Sequence, residues 1–237
     1  MSPAVRLGVW SGPRSISTAL MRSFENRLDT NVVDEPLYAY YLAVTGIDHP
    51  GRELVLERGE TDWRRVVAEL TAPVEGLFYQ KHMAHHLVGE IEWGWISSLT
   101  NVILIRDPSE VIDSYLRSRE AVISADIGLD KQCRLYEMLQ PKPPVIDASD
   151  FLRRPERYLR FLCAHAGVEF TPSMLHWPPG PRPSDGVWAP YWYSAVVSST
   201  GFRPYEPRAP KLRGAAARVA AEVRPCYERL YEKRVRL

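Results

Sequence analysis

The chain has 237 residues with 30 Lys+Arg against 29 Asp+Glu, a net charge of +1, and is 45% hydrophobic and 25% charged. That length suits one large domain, read here over residues 1–237, with ample chain to bury a core. The even charge balance argues against nucleic-acid binding by bulk electrostatics while leaving room for a local basic pocket. No apolar run reaches the ~18 residues of a membrane span, and the N-terminus lacks the pattern of a secretory leader. Cys133, Cys163 and Cys226 are odd in number and far apart. They make neither a metal spacing nor a disulfide framework, so the expectation is a soluble protein of a reducing cytoplasm.

Residues 5–10 form a short apolar run that ends in Ser-Gly-Pro-Arg, and Ile16, Ala19, Leu20 and Phe24 follow at helical spacing. This reads as strand, tight turn and helix, with Ser15 and Ser17 near the helix start. Residues 31–34 read as a second short strand ending in Asp34-Glu35-Pro36, and a helix capped by Thr61 or Asp62 runs to Leu70. Residues 76–80 read as a third strand, with Lys81 and His82 just past its end. Residues 101–105 (NVILI) form a buried strand by their aliphatic continuity, followed by Arg106-Asp107-Pro108 and a helix carrying Val111, Ile112, Tyr115 and Leu116 on its apolar face. A short strand is expected at 144–146, and helices at 151–167 and 211–237, the latter disturbed near Pro225. Nine of the 20 prolines lie between Pro172 and Pro210, together with Trp177, Trp188, Tyr191, Trp192 and Tyr193. Residues 171–210 therefore read as a long ordered loop packed by aromatic rings.

Strands alternating with helices imply an α/β fold, a three-layer sandwich of the P-loop type with a mainly parallel central sheet flanked by helices. Ligands of such sheets bind beyond the carboxyl ends of the strands. Arg14, Glu35, Lys81 and Arg106 each follow an expected strand, so one edge collects three cations and a carboxylate.

Two segments carry phosphate-binding chemistry. In Ser11-Gly12-Pro13-Arg14-Ser15-Ile16-Ser17-Thr18, a helix N-terminus offers unpaired N–H groups and partial positive charge. Gly12 lets the turn close, and Arg14, Ser15, Ser17 and Thr18 can donate to anionic oxygens. Gly-Lys-[Ser/Thr] is absent, so this is not the loop of an ATPase. In the second segment Arg106 ends a strand and Ser114 stands eight residues later on a helix, where the two can grip one phosphate. Alone, Arg106 fits a carboxylate pair and Ser114 a helix surface equally well.

This combination of a GPRSxST strand–loop–helix with an Arg-Asp-Pro strand end and a Ser eight residues beyond resembles the PAPS-dependent sulfotransferases, the short bacterial type in particular. The resemblance covers residues 5–120, which it marks as the cofactor-binding core. It implies that Gly12, Pro13, Arg14, Ser15, Ser17 and Thr18 bind the 5′-phosphosulfate of PAPS, and that Arg106 and Ser114 bind the 3′-phosphate, with PAP as product. The glycine- and lysine-containing loop that completes the site in the animal enzymes is not found. Residues 198–203, with Gly201 and Arg203, are a candidate substitute or a plain surface turn.

Sulfuryl transfer requires cations aimed at the leaving phosphate, for which Arg14 and Lys81 are candidates, and a general base for the acceptor. Glu35 is the first choice of base. His86 and then His85 follow, in a Lys81-His82-Met83 segment that resembles the family's Lys-x-His with Met83 in place of the histidine. Asp34 reads as a cap for the turn at Pro36. Three histidines within five residues invite metal, but no Cys or acidic side chain stands beside them, and no metal is expected. Residues 153–157 read as a solvated helix start. Residues 188–193 are either the wall of an acceptor pocket or a cover for the core, and the Ala-rich helix from 214 is a packing helix or the face of a homodimer. The expected acceptor is a small molecule bearing a hydroxyl or, second, an amine, held by loops 38–60 and 120–205. Two other readings stay open. One is a P-loop nucleotide or small-molecule kinase; the other is a non-catalytic nucleotide-binding relative of the sulfotransferases.

Overall fold

Short aliphatic runs form five strands, and the helices between them return the chain to the same edge each time, which makes neighbouring strands parallel. The computed structural model describes residues 4–237; residues 1–3, where the domain was expected to begin, lie outside the described residues. The strands are β1 (Val5–Ser11), β2 (Thr30–Asp34), β3 (Leu77–Met83), β4 (Thr100–Ile105) and β5 (Val145–Asp147), in the spatial order β2-β3-β1-β4-β5. All four pairings are parallel, from Val5↔Leu77 to Ser11↔Met83, Leu7↔Thr100 to Ser11↔Leu104, Thr30↔Leu77 to Asp34↔Lys81, and Ile103↔Val145 to Ile105↔Asp147.

Helix α1 (Ser17–Glu25) follows β1, while α2 (Tyr38–Thr45), α3 (Arg52–Arg58) and α4 (Trp63–Thr71) lie between β2 and β3. After β4 come α5 (Pro108–Tyr115), α6 (Ser124–Ile127) and α7 (Leu129–Met138), and after β5 come α8 (Ala148–Arg153) and α9 (Pro155–His165). Short helices α10 (Ala189–Trp192) and α11 (Ser194–Val197) interrupt the proline-rich segment, and α12 (Gly214–Glu232) closes the fold. Alternation along the strands splits the core into two layers. Leu7, Val9, Val102 and Leu104 pack against Leu20 and Phe24 of α1 and Leu159 and Leu162 of α9. Trp10, Ile103 and Ile105 face Leu70 of α4, Ile112 of α5, Leu135 of α7 and Val223 of α12. The C-terminal helix is thus a packing helix on one sheet face.

Several element ends differ from the sequence reading. Strand β3 continues through Met83 rather than stopping at residue 80, because its ladder with β1 runs to Ser11, so Lys81 and His82 lie inside the sheet. The helix expected over 151–167 starts at Ala148 and breaks at Arg154, whose φ of −144° is not helical; Pro155 then opens α9 at the position proline tolerates. Helix α12 runs through Pro225 without ending there. Asp62, not Thr61, caps α4, accepting from the Arg64 N–H at 2.9 Å.

The chain leaves β1 toward β2 on one side and leaves β4 toward β5 on the other, so a crevice opens between the carboxyl ends of β1 and β4. Gln132 of α7 closes its floor: the buried Nε2 donates to the carbonyls of Trp10 and Leu104, each at 2.9 Å. Gln132→Ala strands both carbonyls and is expected to lower stability by about 1–3 kcal/mol, measured by urea denaturation; an unchanged midpoint would show that these carbonyls find other donors.

Candidate active site

The loop after β1 is strained where it turns into α1. Arg14 (φ 57°) and Ile16 (φ 59°) both take left-handed backbone on either side of Ser15. For a β-branched residue such as Ile16 that is a true outlier, worth about 1–3 kcal/mol of strain. Successive residues of opposite φ are the backbone pattern that can gather N–H groups round an anion, and the first turn of α1, which has no side-chain cap, adjoins it. Gly12 has a different reason to be glycine. A Cβ there would lie 2.5 Å from the Ile127 carbonyl oxygen, so it is the close approach of α6 that requires it, and Gly12 sits behind the cleft rather than in its lining.

Pro13, Arg14, Ser15, Ser17 and Thr18 line a cleft of about 620 Å³ at the crevice. Arg106 and Ser114 enter it from β4 and α5, and Gly201 and Arg203 from the segment before α12. Arg14 Nε donates to Ser114 Oγ at 3.0 Å, and Arg106 Nη1 donates to the Arg14 carbonyl at 2.9 Å. Among the described residues no carboxylate pairs with Arg14. Burial, and then the charges of Arg106 and Arg117, hold its pKa below the ordinary value. Two guanidinium groups brought together with a carboxylate for only one of them make a site that gains by binding an anion. Arg106 is steadied by Glu110, whose Oε2 accepts from Nε at 3.0 Å and Nη2 at 2.8 Å, while Tyr205 donates to Glu110 Oε1 at 2.7 Å.

The opposite wall is acidic and aromatic. Lys81 is buried, and its ammonium donates to Asp34 Oδ1 at 2.8 Å, Glu35 Oε1 at 2.5 Å and the Tyr193 hydroxyl at 2.7 Å. Burial alone would depress the Lys81 pKa, but Asp34 and Glu35 outweigh it and hold it above the usual value. Burial raises the Glu35 pKa, Lys81 opposes that, and the Asp34 charge adds to it, leaving it above the usual carboxylate range. Glu35 also has left-handed backbone, at φ 43°. Asp34 does not cap the turn at Pro36; α2 has no side-chain cap, and Asp34 is held by Lys81 and Tyr193 instead.

His85 and His86 line the same cleft from the turn Ala84–His86. His86 stacks against both Tyr38 and Tyr41, with ring centroids 5.0 and 4.8 Å away. Burial pushes the His85 pKa down to about 3 and that of His86 well below 6.5, so both imidazoles are neutral. His82 lies away from the cleft and stacks on Trp10 at 4.1 Å. Sequence reasoning missed Glu110 as a member of the lining; Tyr38, His49 and Tyr193 fall in the loops it gave the acceptor, but only Tyr193 was named there, as one of the aromatic residues of 188–193. Glu110, one helical turn after Arg106, had a local signal. Among the described residues no group of three His, Cys, Asp or Glu could hold a metal ion, and no helix is long and apolar enough to cross a membrane.

The family described as Sulfotransferase domain matches residues 5–231. Two Arabidopsis thaliana proteins, branched-chain-amino-acid aminotransferase-like proteins 1 and 2, are 40% and 37% identical to the chain over 198 residues, covering 81% of it. The chain spans only 36% and 35% of their lengths, so the match relates it to one portion of each. Among solved structures, the sulfotransferase domain from the Synechococcus PCC 7002 olefin synthase aligns with a TM-score of 0.56 at 13% identity, over 93% of this chain and 94% of that one. The sulfotransferase domain from the curacin biosynthetic pathway aligns at 0.50 and 17% identity, over 94% and 99%. At these identities the likeness is one of fold.

The buried histidines set a pH dependence of stability. Burial lowers His82 and His85 to about 3 and His49 to about 4, from 6.5. The unfolded chain takes up protons below pH 6.5 while the folded chain does not until its own lower pKa values, so stability is full above 6.5 and falls on acidification toward 3–4. Each histidine contributes about 1.4 kcal/mol per pH unit in that window. Urea midpoints that stay constant from neutral to about pH 5 would contradict this.

Proposed function

The chain belongs to the sulfotransferase domain family, and on that footing we propose that it moves the sulfuryl group of PAPS in line to a hydroxyl, or second an amine, of a small acceptor. The observation that supports this most directly is the convergence in one cleft of a strained, donor-lined turn at residues 13–18, the guanidinium of Arg14, which no carboxylate pairs among the described residues, beside that of Arg106, and the buried carboxylate of Glu35. PAPS supplies an activated sulfuryl group on a phosphate that leaves with growing negative charge. Residues 13–18 would hold its 5′ side, with Arg14 matching that charge, and Arg106, Ser114, Gly201 and Arg203 the 3′-phosphate. Such preorganised donors contribute about 2.7–4 kcal/mol each to lowering the barrier.

Lys81 takes a different part from the one its position in the sequence suggested. With three acceptors at hydrogen-bond distance, its ammonium is matched by carboxylates and serves to orient Glu35. Glu35 is the better general base: its raised pKa makes it the stronger proton acceptor, whereas His85 and His86 are shifted to values too low for the task. Tyr38, His49 and Trp192 line the acceptor side. A cytoplasmic setting accords with three free cysteines. The kinase reading lacks Gly-Lys-[Ser/Thr] in the loop.

Calorimetric titration is expected to give PAP binding that exceeds binding of ADP and of ATP–Mg²⁺, with Arg106→Ala weakening PAP; equal or tighter ATP–Mg²⁺ binding would favour the kinase. Glu35→Gln is expected to leave PAP affinity in place and reduce turnover by about 10²–10⁴; unimpaired turnover would return the base to the histidines. Because the base must be ionised, wild-type turnover falls as pH drops through the raised Glu35 pKa, and an acid limb within the ordinary carboxylate range would contradict that assignment.

A further inference from the structure

The Lys81, Asp34 and Glu35 cluster has a fourth member that arrives from 159 residues beyond Asp34. The Tyr193 hydroxyl accepts from Lys81 Nζ at 2.7 Å and from Trp188 Nε1 at 3.1 Å, and it donates to Asp34 Oδ2 at 2.7 Å, with Glu35 Oε1 at 3.3 Å. A phenol has one proton and two lone pairs, so its capacity is filled. The Lys81 ammonium has three N–H groups, and Asp34, Glu35 and Tyr193 take one each. Asp34 is satisfied on both oxygens, Oδ2 also receiving the Gly186 N–H at 3.3 Å. One oxygen of the cluster is left over. Glu35 Oε2 has His86 Nε2 at 3.9 Å, beyond hydrogen-bond reach.

We infer that Tyr193 is a positioning residue: by completing the hydrogen bonds of Lys81 and Asp34, it fixes Glu35 through Oε1 alone and leaves Oε2 to take the acceptor proton. This rests on Glu35 being the base. Without the hydroxyl, Asp34 Oδ2 loses its short donor and one Lys81 N–H loses its acceptor. The ammonium then serves Asp34 at the expense of Glu35, and Glu35 keeps its proton to a higher pH. The segment that carries Tyr193 has separate anchors, so removing one hydroxyl does not release it. Asp185 Oδ2 lies 2.6 Å from the buried Arg22 Nη2, Ser184 donates to Glu25, and the Gly180 N–H donates to the Val197 carbonyl at 2.7 Å.

The test is Tyr193→Phe, read first by carboxyl-carbon NMR titration of the ligand-free protein, with the Glu35 signal identified by its loss in Glu35→Gln. The Glu35 midpoint is expected to move up by about one unit, and the acid limb of the kcat profile to move with it, while PAP affinity stays at the wild-type value. A ring-fluorinated tyrosine at position 193, a stronger donor of the same shape, is expected to move the midpoint down, and it serves should the phenylalanine variant not fold. A Glu35 midpoint that does not move, or moves the opposite way, overturns the inference whatever the kinetics. A midpoint that rises while the acid limb stays fixed overturns Glu35 as base, and with it the catalytic purpose of Tyr193.

Discussion

The arrangement turns on one buried charge. Lys81 sits in the central part of the sheet with its side chain 1% exposed, and an unpaired ion there would cost several kcal/mol. Its neighbour β2 ends in Asp34, directly opposite Lys81 in the ladder, and Glu35 follows at once in left-handed backbone with its N–H on the Lys81 carbonyl. The demand of that ammonium for acceptors holds the end of β2, bends the chain into α2 and draws Tyr193 down from the proline-rich segment. Removing one partner of such a group typically costs about 3–5 kcal/mol, so these elements stand together.

From that anchor the cleft acquires two unlike walls. On one side Arg14 and Arg106 lie close together without enough carboxylate to neutralise both, and the donor-lined turn adds the dipole of α1. On the other, an ammonium is enclosed by carboxylates, and the neighbouring imidazoles are held neutral by burial. An anion is drawn to the first wall; a proton is drawn to the second. The three non-glycine residues with positive φ among those described, Arg14, Ile16 and Glu35, all fall at this cleft. Strain of about 1–3 kcal/mol each is therefore stored where group transfer needs fixed geometry, and the packed layers on both sheet faces hold it in place.

Much of this was legible in the chain. Strand, turn and helix signals are local, so the order of β1, α1, β2 and α4 and of β4 and α5 could be read from apolar spacing and caps. Residues 13–18, Arg106 and Ser114 could be singled out because strand ends gather at one edge of a parallel sheet. Less legible were α2, α3, α6 and α7; in α2 the reason is plain, since Tyr38, Ala39, Tyr40, Tyr41 and Leu42 are buried all around the helix, which erases the amphipathic pattern.

By itself, the sequence determined the α/β class, the mainly parallel character of the sheet and the residue types at each strand end, because those follow from short-range periodicity and the alternation of strands with helices. Only the tertiary structure decided what these residues do to one another. Whether Lys81 projects past a strand or lies within it depends on the register of β3 against β1, a long-range pairing that moves an entire residue set at each step. Whether an imidazole or a carboxylate can take a proton depends on burial, and burial on which segments close over it. Tyr193 shows this most plainly: as one of several aromatic residues in a proline-rich run it carries no mark, and it gains a chemical role only when folding sets its hydroxyl among Lys81, Asp34 and Glu35.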